Sequence, residues 1–397
     1  MTNPFSGGAP VKEVIVTGDI FRLSAGGGSG NQDRNISWLH ALLKFPIFAA
    51  TGTYPGLLRH DNSPLKCSDI YDAAGLRPSL SAWAELSAAF PKNVSERYAS
   101  LFQGKIVVGF ELSNAMCAAL TEWDVPYICI LTHPVRFLDD IAFAVSTNIS
   151  GIHQGLAKLC MREAICFEHA GFITAYFASR RRSADRADFR LFAAQTHDDR
   201  SLFRDGAIVS QDWIGEKLVA LYKPDDVVAF KHHPLKRSAE VFEKVKNRCA
   251  NTYETSANVY SLLSDPNLSD VITVSSSVGV EAKYFGKNVT YLHKPFVAPL
   301  YRNDTSAVGD FMSCGTNLLS ADFWRILLST FVPVSDLDGH QHIYRPDLLR
   351  ATLNQDWNFG EIYADFIVQS SPLGRVMAHP SVWARLKNKL MRQIRRS

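Results

Sequence analysis

Residues 270–287, Asp-Val-Ile-Thr-Val-Ser-Ser-Ser-Val-Gly-Val-Glu-Ala-Lys-Tyr-Phe-Gly-Lys, constrain the fold of this chain more than any other stretch. A β-branched apolar run stops in three serines and continues with helical spacing, which predicts a strand, a tight turn and a helix. Such a junction offers an anion the free N–H groups and positive dipole end of a helix, beside the hydroxyls of Ser275, Ser276 and Ser277. An ordinary N-capped helix in an α/β sheet has the same pattern. A second signal sharpens the reading: Phe230-Lys231-His232-His233-Pro234 ends an earlier buried-type strand. Two strand ends in one half of the chain would face the same crevice.

The rest of the chain repeats the theme. Val11-Lys-Glu-Val-Ile-Val16 runs into Thr17-Gly18-Asp19, Phe21 and Arg22, then into the glycine-rich stretch 24–30. That stretch has neither the G-x-G-x-x-G register nor a Walker lysine, which speaks against dinucleotide or P-loop nucleotide binding. It reads as a loop over a substrate cleft or as a plain surface loop, with a helix beginning near Arg34, Trp38 and Leu39. Two further strands end at Gly109-Phe110-Glu111 and at Thr132-His133-Pro134 with Arg136. Parallel sheets gather binding groups at such carboxyl ends, which marks Glu111, His133 and Arg136. Residues 141–179 read as helical, with His169 structural, and 180–190 are polar and basic. Phe192-Ala-Ala194 then leads into Gln195-Thr-His-Asp198-Asp199-Arg200-Ser201, where an extended run would turn only one of the two carboxylates to a cleft.

Helices near 211–222, 238–249 and 260–264 alternate with strands at 227–231, 270–274 and 288–292, and Gly286 stops the helix before the last strand. This is a Rossmann-like half, and a domain boundary is expected at 205–210. Segments beyond residue 300, around Trp324, Phe331 and Trp357, read as helical or irregular. A chain of 397 residues suits two domains. We expect residues 1–207 and 208–375 to form them, followed by a basic segment at 376–397.

Composition places the protein among soluble globular chains, with 46% hydrophobic and 20% charged residues. It has no apolar run of about eighteen residues, so no transmembrane helix is expected. The first residues lack the basic and apolar regions of a secretory signal, and the seven cysteines are scattered without a C-x-x-C pair. Both features point to a cytoplasmic protein with reduced thiols. Net charge is +3, but 382–397 alone carry six cations (Arg385, Lys387, Lys389, Arg392, Arg395, Arg396) and no acid, which leaves the remainder at −3. Val382, Leu386, Leu390 and Ile394 recur every fourth residue there, beside Trp383. A helix of this pattern lies on the inner membrane surface or docks on its own protein. Nucleic acid is not expected, because no other basic cluster is interleaved with aromatics.

Lys231-His232-His233-Pro234, followed by Ser275-Ser276-Ser277 with Glu281 and Gly286, resembles the H-P and S-S motifs of bacterial transferases that use CMP-activated sialic acid or Kdo. Gly109-Phe110-Glu111-Leu112, Thr132-His133-Pro134-Val-Arg136-Phe137 and Gln195-Thr-His-Asp198-Asp199-Arg-Ser201 are similar to the retaining β-Kdo transferase modules of O-antigen and capsule synthesis. The resemblance covers residues 10–300 and implies an α/β fold of GT-B type, two Rossmann-like domains facing a central cleft. It implies transfer of Kdo from CMP-β-Kdo to a lipid-linked or polymeric surface glycan, with retention. Asp199 matches the nucleophile position, with Asp198 as competitor, and Glu111 would serve the acceptor hydroxyl as base. Arg136 would pair with the sugar carboxylate, while His133, Gln195, Lys231, His232 or His233, Pro234 and the serines would hold the donor. Glu281 would take ribose hydroxyls. Asp19, Arg22 and Arg34 are left to the acceptor. No cofactor or metal is called for. An inverting CMP-sialic acid transferase, or a non-catalytic nucleotide- or glycan-binding protein, are the alternative readings.

Overall fold

A computed structural model describes residues 13–24, 26–179, 187–196, 198–234, 236–335, 337 and 348–353. The expected basic segment 376–397 and Trp357 lie outside the described residues. The protein is mixed α/β, with two large, mainly parallel sheets among the described residues.

The first sheet contains β1 (Glu13–Gly18), β2 (Gly56–Leu57), β3 (Lys105–Phe110), β4 (Tyr127–Thr132) and β5 (Phe143–Thr147). The second begins with β6 (Phe189–Ala193). After a small antiparallel hairpin of β7 (Phe203–Arg204) and β8 (Ala207–Ile208), it continues with β9 (Val228–Lys231), β10 (Thr252–Glu254), β11 (Leu268–Thr273) and β12 (Asn288–Tyr291). The chain then returns, and β13 (Met312–Cys314) pairs antiparallel with β5. The resulting orders are β13-β5-β4-β3-β1-β2 and β10-β9-β6-β11-β12. β1 to β4 and the whole second sheet are parallel. These strands are apolar on both faces because helices cover both sides. Val107, Val108, Ile128, Ile130, Leu191, Ala229, Val271 and Ile272 are all inaccessible to solvent.

Two expectations are corrected. Residues 143–147 form β5 rather than helix: Phe-Ala-Val-Ser-Thr is a short apolar run, and periodicity does not separate a buried strand from a buried helical turn at that length. The division at 207/208 does not follow the sheets. β6 is the central strand of the second sheet, so the chain has crossed between sheets before residue 189. Near the other end, β13 and the helix Ala321–Leu328 belong with the first sheet. Trp324 is fully buried in the core that also holds Leu39, Leu43 and Ile47 of the helix Asp33–Thr51.

The order of the strands fixes where a ligand can enter. In a doubly wound sheet the crevice opens at the carboxyl ends of the two strands where the winding reverses. In the first sheet these are β1 and β3, and in the second β6 and β11. Phe137, from the loop after β4, packs edge-on against Tyr260 and Phe285 of the second half, with ring centres at 5.8 and 5.4 Å. The two crevices are thereby joined into one.

Candidate active-site cleft

The joined crevice is a cleft of about 1270 Å³. Its wall includes every residue singled out from the sequence except His133 and Asp19: Arg22, Arg34, Glu111 and Arg136 on the first half, and Gln195, Asp198, Asp199, Lys231, His232, His233, Pro234, Ser275, Ser276, Ser277 and Glu281 on the second.

Glu111 follows β3 directly and has a left-handed backbone, φ 52°. A residue with a Cβ adopts this conformation at a cost, and such strain is held in place by its surroundings. Here the hold is explicit. The Glu111 N–H donates to the Ile130 carbonyl at 2.9 Å, and its own carbonyl accepts from Arg200 Nη1 at 2.8 Å. The turn aims the carboxylate at the cleft, where Oε2 accepts from Gln32 Nε2 at 2.8 Å and Arg22 Nη1 at 3.1 Å. Arg22 also lies over the Trp83 ring at 5.0 Å, which fixes its direction.

Beyond β6 the chain is no longer strand, so the expected alternation fails and both Asp198 and Asp199 reach the cleft wall. Asp199 caps the short 3₁₀ turn Arg200–Leu202, its Oδ1 accepting from Ser201 N at 2.9 Å, and it is exposed. Asp198 is half-buried. Because β6 belongs to the second sheet, these carboxylates stand beside the serines rather than with Glu111.

Gln195 and Ser275 form a clasp across the ends of β6 and β11. Gln195 Oε1 accepts from Ser275 N at 2.7 Å, and Gln195 Nε2 donates to Ser201 Oγ at 2.8 Å and Ser275 Oγ at 3.2 Å. The Ser275 hydroxyl donates to the Ser201 carbonyl. Ser275 is therefore buried and engaged, while still lining the cleft. Ser276 caps the helix Ser277–Ala282 through Val278 N. Ser276 and Ser277 are half-buried on the cleft wall.

The two adjacent histidines differ. His232 Nδ1 accepts from Ser238 N at 3.1 Å, which leaves the proton on Nε2 to be donated to Glu254 Oε1 at 3.0 Å. Its ring rests against Phe230, with centres 4.8 Å apart. His232 thus braces the loop after β9, and His233 stands beside it on the cleft wall. Lys231 Nζ donates to the Ala257 carbonyl at 2.7 Å and steadies the neighbouring cleft loop.

Glu281 does not reach out toward a ribose. It is 2% exposed, and Oε1 accepts from the Arg136 backbone N–H at 2.7 Å and the Tyr260 hydroxyl at 3.0 Å. Burial pushes its carboxyl up to about 7, against the pull of those two donors and the Arg136 charge. It ties the loop after β4 to the helix after β11.

His133 and Asp19 lie behind the wall. His133 is 2% exposed, its Nδ1 accepts from Val135 N and its Nε2 meets Ser313 Oγ at 3.0 Å. Burial lowers its pKa to about 3, so it is neutral. Asp19, 3% exposed, accepts from Trp83 Nε1 at 2.9 Å and Phe21 N at 3.2 Å, and burial raises its pKa. Each braces a strand end and presents nothing to a ligand.

The wall also holds residues to which the sequence assigns no role. Arg200 is 8% exposed and lies under the Phe296 ring at 4.8 Å while holding the Glu111 carbonyl. Its place beside the two aspartates was the one available signal. Gln32 and Phe296 gave none, because their neighbours are far away in sequence. Arg22, Arg34, Arg136, Arg200, Lys231 and Arg237 bring six cations to the wall against five carboxylates, so an anionic ligand meets paired positive groups on both sides.

The chain matches no protein-family model and no curated protein. Among solved structures it is similar to Thermosulfurimonas dismutans KpsC, a β-Kdo 2,7 transferase, at 13% identity over 60% of this chain and 90% of that one, with a TM-score of 0.33. It is similar also to the KpsC β-Kdo 2,4 transferase from the same organism, at 16% identity over 53% and 81% of the two chains, with a TM-score of 0.31. Similarity of this degree assigns no residue a role and this chain no activity.

Proposed function

We propose that the protein is a retaining glycosyltransferase of GT-B type that moves Kdo from CMP-β-Kdo to a surface-glycan acceptor. The observation that carries this reading is the single cleft at which the switch points of both sheets open, bringing Glu111 from one and Asp198 and Asp199 from the other to facing walls. Retention follows from two displacements. An Asp199 oxygen attacks the anomeric carbon, that carbon's bond to the phosphate oxygen breaks, and CMP leaves with the bonding pair. The acceptor hydroxyl then attacks the same carbon, Glu111 takes its proton, and the Asp199 carboxylate is released. The cap to Ser201 N orients Asp199 and leaves its second oxygen to act as nucleophile. The pair Arg22 and Gln32 holds the Glu111 carboxylate aimed at the cleft. His233 donates to the departing phosphate beside Ser276 and Ser277, stabilising charge as it develops there. Arg136 receives the sugar carboxylate, and Arg34 receives the acceptor. The acceptor is lipid-linked or polymeric, and the protein works at the cytoplasmic face of the membrane.

Incubation with CMP-β-Kdo and, separately, with CMP-sialic acid tests the reading. The expected result is a mass increase of one Kdo residue on a peptide containing Asp199, lost in Asp199→Ala and longer-lived in Glu111→Gln. An inverted product without any adduct would overturn it in favour of single displacement. CMP release that survives Asp199→Ala combined with Glu111→Ala would reduce the protein to a nucleotide or glycan binder.

A further inference from the structure

The helix Ala164–Ala178, Ala-Ile-Cys-Phe-Glu-His-Ala-Gly-Phe-Ile-Thr-Ala-Tyr-Phe-Ala, is apolar on all sides, the composition of a helix covered all round. Only one side is covered. Cys166, Ala170 and Ile173 are buried, whereas Phe172 is 66%, Phe167 47% and Ile165 38% exposed. Gly171, Ala175 and Ala178 are exposed with them and leave room for a second helix to approach closely. The helix carries no lysine or arginine, while Glu168 is exposed on it and Asp139, also exposed, stands 3.8 Å from His169. The open face is therefore apolar, with Glu168 within it and Asp139 at its edge.

We propose that this face is a docking surface and that its occupant is the chain's own segment 382–397. The described chain ends beside it. The Leu349 and Arg350 N–H groups donate to the Asp140 carboxylate at 2.8 and 2.9 Å, and Arg350 Nη2 donates to the Arg136 and Leu138 carbonyls. The last described residues are thus anchored on the loop whose Asp139 faces His169. Residues 354–381 provide slack for the segment to return. Val382, Leu386, Leu390 and Ile394 would span about 18 Å as a helix, and the open face from Ile165 to Ala178 is about 20 Å long. The six cations flanking that stripe complement Glu168 and Asp139. An anionic bilayer fits less well, because the carboxylates would face its surface. Only the arginines at 180–182, next in sequence, favour it.

The test is a photoreactive benzoylphenylalanine at position 172 of the full chain, a site exposed enough to accept it. The expected result is an intramolecular cross-link that tandem mass spectrometry locates within 382–397, lost when Leu386→Asp and Leu390→Asp are introduced with the circular dichroism spectrum unchanged. A cross-linked dimer would overturn the proposal in favour of a second copy. A cross-link confined to 354–381, or none at all, also overturns it. So does co-sedimentation with phosphatidylglycerol vesicles that Phe172→Asp abolishes, which would assign the face to lipid.

Discussion

Glu281 makes the stability of this protein depend on pH in a direction opposite to that of most carboxylates. Its carboxyl is buried, and its pKa stands at about 7 against an ordinary value of 4.5. The folded state therefore keeps the proton in a pH range where the unfolded chain releases it. The stabilisation associated with the protonated form is complete below 4.5 and is lost as pH rises through about 7. The gap corresponds to about 3 kcal/mol. Glu281→Gln retains a carbonyl oxygen for the Arg136 N–H and the Tyr260 hydroxyl and cannot ionise. Urea unfolding of both proteins at pH 5 and pH 8 should give similar midpoints at pH 5 and a variant more stable by about 2 to 3 kcal/mol at pH 8. Parallel behaviour at the two pH values would refute the reasoning and mean that the carboxyl stays hydrated or its charge is matched by Arg136. Activity supplies a second reading. If this contact sets the spacing of the cleft walls, the variant should flatten the alkaline limb of the rate profile and leave the acid limb unchanged.

Three further outcomes follow from the cleft. Glu111→Gly should be more stable than Glu111→Ala by about 1 kcal/mol in thermal melts, because glycine adopts φ 52° without strain; both should lose transfer. Asp19→Ala should cost about 2 to 3 kcal/mol by leaving the buried Trp83 indole N–H without an acceptor, with nucleotide affinity retained in calorimetric titration of the folded variant. His232→Ala should lower stability by about 1 to 2 kcal/mol through loss of its contact with the Ser238 N–H, whereas His233→Ala, on the proposed reading, should be the more damaging of the two to binding of CMP. An equal effect of the two histidine changes on CMP affinity would remove the distinction.

Local pattern carried much of the fold into view. The apolar strands that became β3, β4, β9 and β11 are β-rich runs closed by polar strand ends, and Gly286, with φ 68°, stops its helix where the spacing places the stop. Parallel winding, expected from strands alternating with helices, leads from those strands to the cleft wall. What pattern missed depends on partners distant in sequence. β5 is defined by its antiparallel neighbours β4 and β13, not by its own five residues. The expected boundary at 205–210 followed the paired carboxylates near the midpoint of the chain, whereas β6, before them, already belongs to the second sheet. At the site, residue type identified chemistry and not orientation. His133 and Asp19 have the right types at the right strand ends, yet their polar atoms turn inward to Ser313 and Trp83. Nothing in a single sequence records that choice.

Three polar ties hold the cleft walls, and each uses a group that the sequence assigns to a ligand or leaves unassigned. Glu281 joins the loop after β4 to the helix after β11, Arg200 joins the turn carrying Asp199 to the strained backbone of Glu111, and Gln195 joins the ends of β6 and β11. Arg200 is the most consequential of the three. Its backbone adjoins Asp199 after β6 and its guanidinium holds the Glu111 carbonyl after β3, so on the proposed reading it links the two reacting carboxylates. A group of this kind governs rate without touching substrate, because carboxylates displaced by about 1 Å lose their alignment with the reacting carbon. Loss of activity on replacing Glu281, Arg200 or Gln195 therefore identifies a wall and not a ligand contact. On the proposed reading, Asp199, Glu111 and His233 are the positions at which loss of activity with retained stability would bear on the chemistry itself.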